Sequence, residues 1–289
     1  MIRILTTVFT ALVGLAFGSF LNVCLSRWPA GESVVQPRSH CRTCSHTLAW
    51  WENVPLLSWL ALRGRCRGCH ERIGWRYPLV EFAVGALWAG CWYRFFTPET
   101  LADSNFALAE AGLAFAGFAV FYWLLVGLAV LDAEHLWLPD ALTVTGIVLG
   151  VLLTVMRGSL LAGAGVHSAW LLLLKTALGI LAAGGLILLI RWIYWLIRRR
   201  EGMGLGDAKL MALLAAWLGL PGALVAFGLG VVLGAAVGLA LLAVPSPHGK
   251  PGSWALTKLP LGTFLCVGGV ASGLWGDQIL AAYLRWAGF

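Results

Sequence analysis

Residues 106–131 read FALAEAGLAFAGFAVFYWLLVGLAVL, and the next residue is Asp132. A helix that crosses a bilayer needs about 20 apolar residues. This run supplies them with a single carboxylate, Glu110, near its start. Seven further runs have the same character: Ile4–Leu25, Pro78–Phe96, Ala141–Met156, Trp170–Ile197, Ala208–Leu220, Ala223–Val244 and Thr263–Ala282. Ala141–Met156 and Ala208–Leu220 are short, so they tilt or extend into flanking residues. The first run is long for a signal-peptide core and lacks a clear small-x-small cleavage site, so it reads as a retained helix.

Composition agrees. Hydrophobic residues make up 60% of the chain and charged residues 11%, and the mean hydropathy is +0.85. A soluble domain is about 25% charged; so little charge suits a lipid-facing surface instead. The 36 glycines and 16 tryptophans fit close helix contacts and interfacial anchoring. In a soluble protein the net charge of +7 would suggest nucleic acid. Here it reports topology, because Lys and Arg collect in cytoplasmic loops, and no nucleic-acid partner is expected. With the N-terminus outside, only Arg3, Arg94, Arg157, Lys175 and Arg285 of the 20 basic residues lie outside. That bias puts residues 27–77, the Asp132 loop, the Asp207 loop and the 245–262 loop on the cytoplasmic side. The expected fold is an all-α polytopic membrane protein of about eight transmembrane helices with a small zinc-binding cytoplasmic insert. Residues 1–26 form the first helix, 27–77 the insert, and 78–289 a seven-helix membrane part.

The insert holds Cys41-Arg-Thr-Cys44 and Cys66-Arg-Gly-Cys69, separated by 21 residues. Four thiolates in two such pairs ligate Zn²⁺ tetrahedrally. Two redox pairs are the competing reading, and a cytoplasmic location disfavours it. Four sulfur ligands leave no open position, so Cys41, Cys44, Cys66 and Cys69 read as a structural metal site. His40, His46 and His70 then read as surface residues, and Cys24, Cys91 and Cys266 as buried packing residues.

Ionisable groups near a bilayer are costly and tend to be functional. Asp132 ends the third span, Asp140 follows Pro139, and Asp207 closes Gly202-Met-Gly204-Leu-Gly206-Asp207. Asp140 has the setting of a helix N-cap. Capping would also explain Asp207, but the alternating glycines before it exceed what a helix start needs and allow a second chain to approach closely. Glu134 and His135 read as solvated loop residues, and Arg198, Arg199 and Arg200 as an interfacial anchor. Two carboxylates sharing a site cannot both ionise easily, so one keeps a proton. The pair can then activate water and protonate a leaving group, the chemistry of peptide hydrolysis. From the residues alone, Asp132 and Asp140 remain alternatives for the partner of Asp207.

The ordered motifs resemble the type IV prepilin peptidase family. They are Gly18-Ser-Phe-Leu-Asn-Val23, Pro37-Arg-Ser-His-Cys41, Trp51-Glu-Asn-Val-Pro-Leu-Leu-Ser-Trp59, Arg76-Tyr-Pro-Leu-Val-Glu81, Leu131-Asp132 with Leu138-Pro-Asp140, Gly204-Leu-Gly-Asp207 and Lys258-Leu-Pro-Leu-Gly262. The resemblance implies Asp132 and Asp207 as the catalytic pair of an aspartic endopeptidase. It further implies prepilin or pseudopilin substrates, cut after a glycine at the cytoplasmic face of the bacterial inner membrane. S-adenosylmethionine-dependent N-methylation of the new N-terminus is implied too, associated with the cysteine-bearing insert. Its cofactor-binding residues are unassigned; Glu52, Asn53 and Glu81 are candidates. Two departures stand out: a long stretch at Arg157–Trp170, and no second proline after Gly262. Oligomeric state is not legible. A zinc-stapled scaffold with capping aspartates is the competing class. A transporter is disfavoured because the carboxylates gather at one face, not mid-span.

Overall fold

The structure is a computed structural model describing residues 1–102, 105–161, 166–200, 204–243 and 259–288. Gly202, Lys250 and Lys258 of the sequence reading lie outside the described residues, as does part of the Arg157–Trp170 stretch. Among the described residues nine α-helices form: α1 Ile2–Arg27, α2 Leu57–Ala61, α3 Arg76–Phe95, α4 Pro98–Ala102, α5 Asn105–His135, α6 Asp140–Leu161, α7 Val166–Arg198, α8 Leu205–Ala243 and α9 Leu261–Trp286. Among the described residues there is no strand, only isolated bridges at His40–Thr47 and Arg65–Arg72.

Among the described residues six helices are long and apolar enough to cross a membrane, and they cover seven of the eight expected spans. The eighth, α3, differs in kind, and two of the seven share α8. α3 has the length, 20 residues, but carries Arg76, Glu81 and Arg94. The runs Ala208–Leu220 and Ala223–Val244 lie on one element, α8, broken inside by Gly219 (φ 69°, ψ 172°) with Pro221 following. Pro221 has no N–H and cannot continue the ladder. Side chains from neighbouring helices serve carbonyls around the break, Thr154 Oγ1 on Ala216 O (3.0 Å) and Ser272 Oγ on Gly222 O (2.8 Å). The helices also turn large apolar residues outward at helical spacing, among them Val144, Val148 and Leu152 on α6 and Leu174, Leu178 and Leu181 on α7. Water would penalise such faces; a bilayer does not.

The chain divides into two compact units, Met1–Gly127 and Leu128–Phe289. In the first, α1 and α3 cross through Gly14 and Gly18. A methyl group on Gly18 would lie 2.7 Å from Glu81 Cα, and one on Gly14 2.9 Å from Gly85 Cα. Small residues four apart let two backbones touch, and this crossing seats Glu81 against α1. In the second unit α8 packs against α6, α7 and α9. Its contact with α9 is backbone on backbone: a Cβ on Gly268 would lie 2.2 Å from Ala226 O.

Candidate active site and metal centre

Asp132 lies in the last turns of α5, where the helix ends on Leu136 with φ 51°. Leu136 N–H bonds back to Asp132 O (2.9 Å), which turns the chain sharply into the Leu138-Pro139 loop. The Asp132 side chain is 6% exposed, and α9 holds it. Thr263 donates its backbone N–H to Asp132 Oδ2 at 2.7 Å and its hydroxyl to the same oxygen at 3.3 Å. The hydroxyl also reaches Ala129 O at 2.9 Å. Helix N-termini carry free N–H groups and a partial positive charge, so a carboxylate is well placed there.

Asp207 occupies the first turn of α8 and is 9% exposed. Its Oδ2 accepts Gly204 N–H at 3.1 Å, the bond that a capping-box acid makes to the residue before its helix. The capping reading of Asp207 therefore holds, but it uses one oxygen only. Leu138 ties the two aspartates together. A Cβ on Gly206 would lie 3.1 Å from Leu138 Cβ; one on Gly262 would lie 3.0 Å from Leu138 Cδ1 and 2.9 Å from Asp132 Oδ2. Glycines 206 and 262 thus permit three segments to converge.

Asp140 sits apart from this arrangement. It begins α6, is exposed, and pairs with Lys209 Nζ at 2.5 Å. Glu134 and His135 lie within 3.9 Å of each other and face solvent as expected, but they belong to the last turn of α5 and not to a loop. Thr263 went unrecognised in the sequence. The available signal was a threonine directly after Gly262, which offers both an N–H and a hydroxyl.

In the first unit the four cysteines converge, their Sγ atoms all within 4.8 Å of one another. Each pair forms the same knuckle. Ser45 and His70 adopt φ 59°, Ser45 N–H bonds Cys41 O (2.9 Å), and His70 N–H bonds Cys66 O (3.0 Å). The cluster can hold a metal ion. The remaining cysteines, Cys24, Cys91 and Cys266, are buried as expected. His46 is no ligand but faces Glu52 at 3.2 Å. Glu52 is buried, and the Ala49 N–H, followed by His46, holds its carboxyl below the ordinary range. Glu52, Asn53 and Glu81 all line one cavity of about 290 Å³ between the insert, α1 and α3.

Comparison with known proteins adds to this geometry. The model described as the bacterial peptidase A24 N-terminal domain matches residues 12–95, and that of the type IV leader peptidase family matches residues 119–239. The chain is 40% identical to a prepilin leader peptidase/N-methyltransferase of Myxococcus xanthus over 214 residues, 74% of this chain and 56% of that protein. It is 33% identical to the like-named protein of Stutzerimonas stutzeri over 310 residues, 98% of this chain and 96% of the relative. The Pseudomonas aeruginosa relative is 33% identical over 306 residues, 97% and 94%. The match thus spans little more than half the Myxococcus protein and nearly all of the other two. No solved structure matches. Two family domains in succession and relatives matched over nearly their whole length at this identity leave one assignment: the chain belongs to the type IV leader peptidase family.

Proposed function

We propose that this chain is a bifunctional enzyme of the bacterial inner membrane. It removes the leader peptide of prepilins or pseudopilins at the cytoplasmic face and methylates the new N-terminus. The observation that carries the peptidase reading is the convergence of Asp132 and Asp207 at the N-termini of α9 and α8, with Leu138 between them. Each has Oδ2 on a backbone N–H at a helix start, that of Thr263 for Asp132 and that of Gly204 for Asp207. One carboxylate draws a proton from water, which attacks the scissile carbonyl; the other, protonated, donates to the leaving amine. The pair acts as one titrating unit, so no separate role is given to either. Gly204, exposed at the start of α8, leaves room for an extended substrate beside Asp207.

Zinc is our assignment for the thiolate cluster. Bonds of about 2.3 Å to a tetrahedral ion put sulfurs about 3.8 Å apart, and the Cys41–Cys69 and Cys44–Cys66 separations are 3.8 and 3.9 Å. The metal staples the insert and takes no part in hydrolysis. S-adenosylmethionine supplies the methyl group, in keeping with the relatives' names. The division into 1–26, 27–77 and 78–289, the eight spans and the cytoplasmic placement of the site belong to this same reading.

The test uses the full chain in detergent with a prepilin substrate. Asp132→Asn and Asp207→Asn each abolish cleavage while melting behaviour and metal content stay those of the wild type. Asp140→Asn retains cleavage. Substantial turnover by either of the first two variants refutes the dyad.

A further inference from the structure

The pair in the second unit accounts for hydrolysis but offers nothing to bind a methyl donor. The first unit holds a cavity of about 290 Å³, near the lower edge of small-molecule sites, about 300 to 1,000 Å³. Its walls carry four glutamates and four arginines, of which Glu52, Glu81 and Arg27 are buried. Glu81, 8% exposed, lies at the α1–α3 crossing and accepts Leu56 N–H at 2.8 Å. Glu52, 6% exposed, comes from the insert. Asn22, 3% exposed, donates Nδ2 to Tyr77 O at 2.9 Å, and that bond fixes the amide's orientation. Its Oδ1 is then left buried with no hydrogen-bond partner. A buried acceptor without a partner costs on the order of 1–3 kcal/mol, and a ligand that donates removes this cost. Trp59 and Ile73 give the cavity an apolar wall, and Arg72 a cation.

A ligand suited to this set brings positive charge and donors to the carboxylates and Asn22, a carboxylate to the arginine, and a flat ring to the tryptophan. We propose that the cavity is the binding site for S-adenosylmethionine, with Glu81 and Asn22 receiving its cationic and donor groups. The proposal rests on the bifunctional reading above. When bound, the donor supplies a methyl carbon. The substrate amine's lone pair forms the N–C bond, the C–S electrons stay on sulfur as S-adenosylhomocysteine leaves, and the amine releases one proton. Cys41 and Cys66 also line the cavity, so the metal centre forms part of its wall. That connects an otherwise remote structural ion to cofactor binding.

The experiment titrates the purified full chain with S-adenosylhomocysteine by calorimetry, comparing wild type with Glu81→Gln. Losing a charged partner weakens binding at least about tenfold, with bound zinc unchanged. A second measurement needs no variant: ultraviolet cross-linking of labelled S-adenosylmethionine to the wild type, followed by peptide mapping. Label within residues 19–81 supports the site. Unchanged affinity in a zinc-loaded Glu81→Gln protein, or label recovered from residues 128–289, overturns the assignment alone. Absence of binding by the wild type overturns the bifunctional reading, and the site with it.

Discussion

Gly262→Ala tests the geometry of the aspartate pair most directly. A Cβ there would lie 2.9 Å from Asp132 Oδ2, 3.0 Å from Asp132 Cγ and 3.0 Å from Leu138 Cδ1. Comfortable contact begins near 3.5 Å, so something must give by about half an ångström. The Leu138 methyl can rotate away, but Asp132 is pinned by the Thr263 N–H at 2.7 Å and its hydroxyl. Either the carboxylate moves or the start of α9 does, and both change its position relative to Asp207. Misplacement by 1 Å can cost about a hundredfold, so half that displacement costs on the order of tenfold. The assay is steady-state leader cleavage in detergent, with melting temperature as a check on folding. The expected result is a fall of about tenfold or more in kcat with KM little changed, since substrate docking is untouched. Gly228→Ala on α8 is the control, because a Cβ there meets nothing within 4 Å. Full kcat in a folded Gly262→Ala protein would refute the idea that α9 positions a reacting carboxylate.

Other outcomes follow from the same structure. Thr263→Val keeps the backbone N–H but loses the hydroxyl bonds to Asp132 and Ala129, which should lower kcat by roughly two- to tenfold; Thr263→Ser should restore it. Gly64→Ala places a side chain at φ 64° and 2.8 Å from the Trp59 ring. The insert should lose on the order of 1–3 kcal/mol of stability, seen as faster proteolysis and weaker metal retention. Removing the metal with a strong chelator should unfold the insert and abolish S-adenosylhomocysteine binding while leader cleavage persists. Gly268→Ala forces a methyl group to within 2.2 Å of Ala226 O, and the melting temperature should drop by an amount equivalent to about 1–3 kcal/mol of overpacking.

The features legible in the sequence were those with local signatures. Apolar runs announce helices because a bilayer requires internally bonded backbone, and two Cys-x-x-Cys pairs announce a metal cluster because knuckle geometry is local. What sequence hid were bonds between distant positions. Thr263 and Asp132 are far apart in the chain, and no periodicity connects them. Asp132 and Asp140 were alike on the page; the structure separates them by partner, with backbone N–H holding the first and Lys209 the second. The runs flanking Gly219 read as two spans because Gly and Pro mark boundaries. Backbone geometry agrees on the break: Gly219 is non-helical and separates two helical stretches of α8. Asn22 carried no individual signal either, since an orphaned Oδ1 exists only once Tyr77 has taken the amide's other end.

The glycine contact between α8 and α9 acts as a gauge for the active site. Gly268 lies six residues beyond Gly262 along α9, about 9 Å at 1.5 Å per residue, and touches Ala226 with no side chain between. Bare backbone at that point has no compressible layer, while Leu265 and Phe264 of α9 pack over Gly230 and Gly234 of α8 and fix the register; the next one is a whole helical turn away, about 5.4 Å. The helix termini bearing Asp207 and clasping Asp132 are therefore either in alignment or a full turn out. Assembly of the carboxylate pair becomes an all-or-nothing outcome of insertion, and a chain whose α9 docks one turn off would be membrane-integrated, helical and inert.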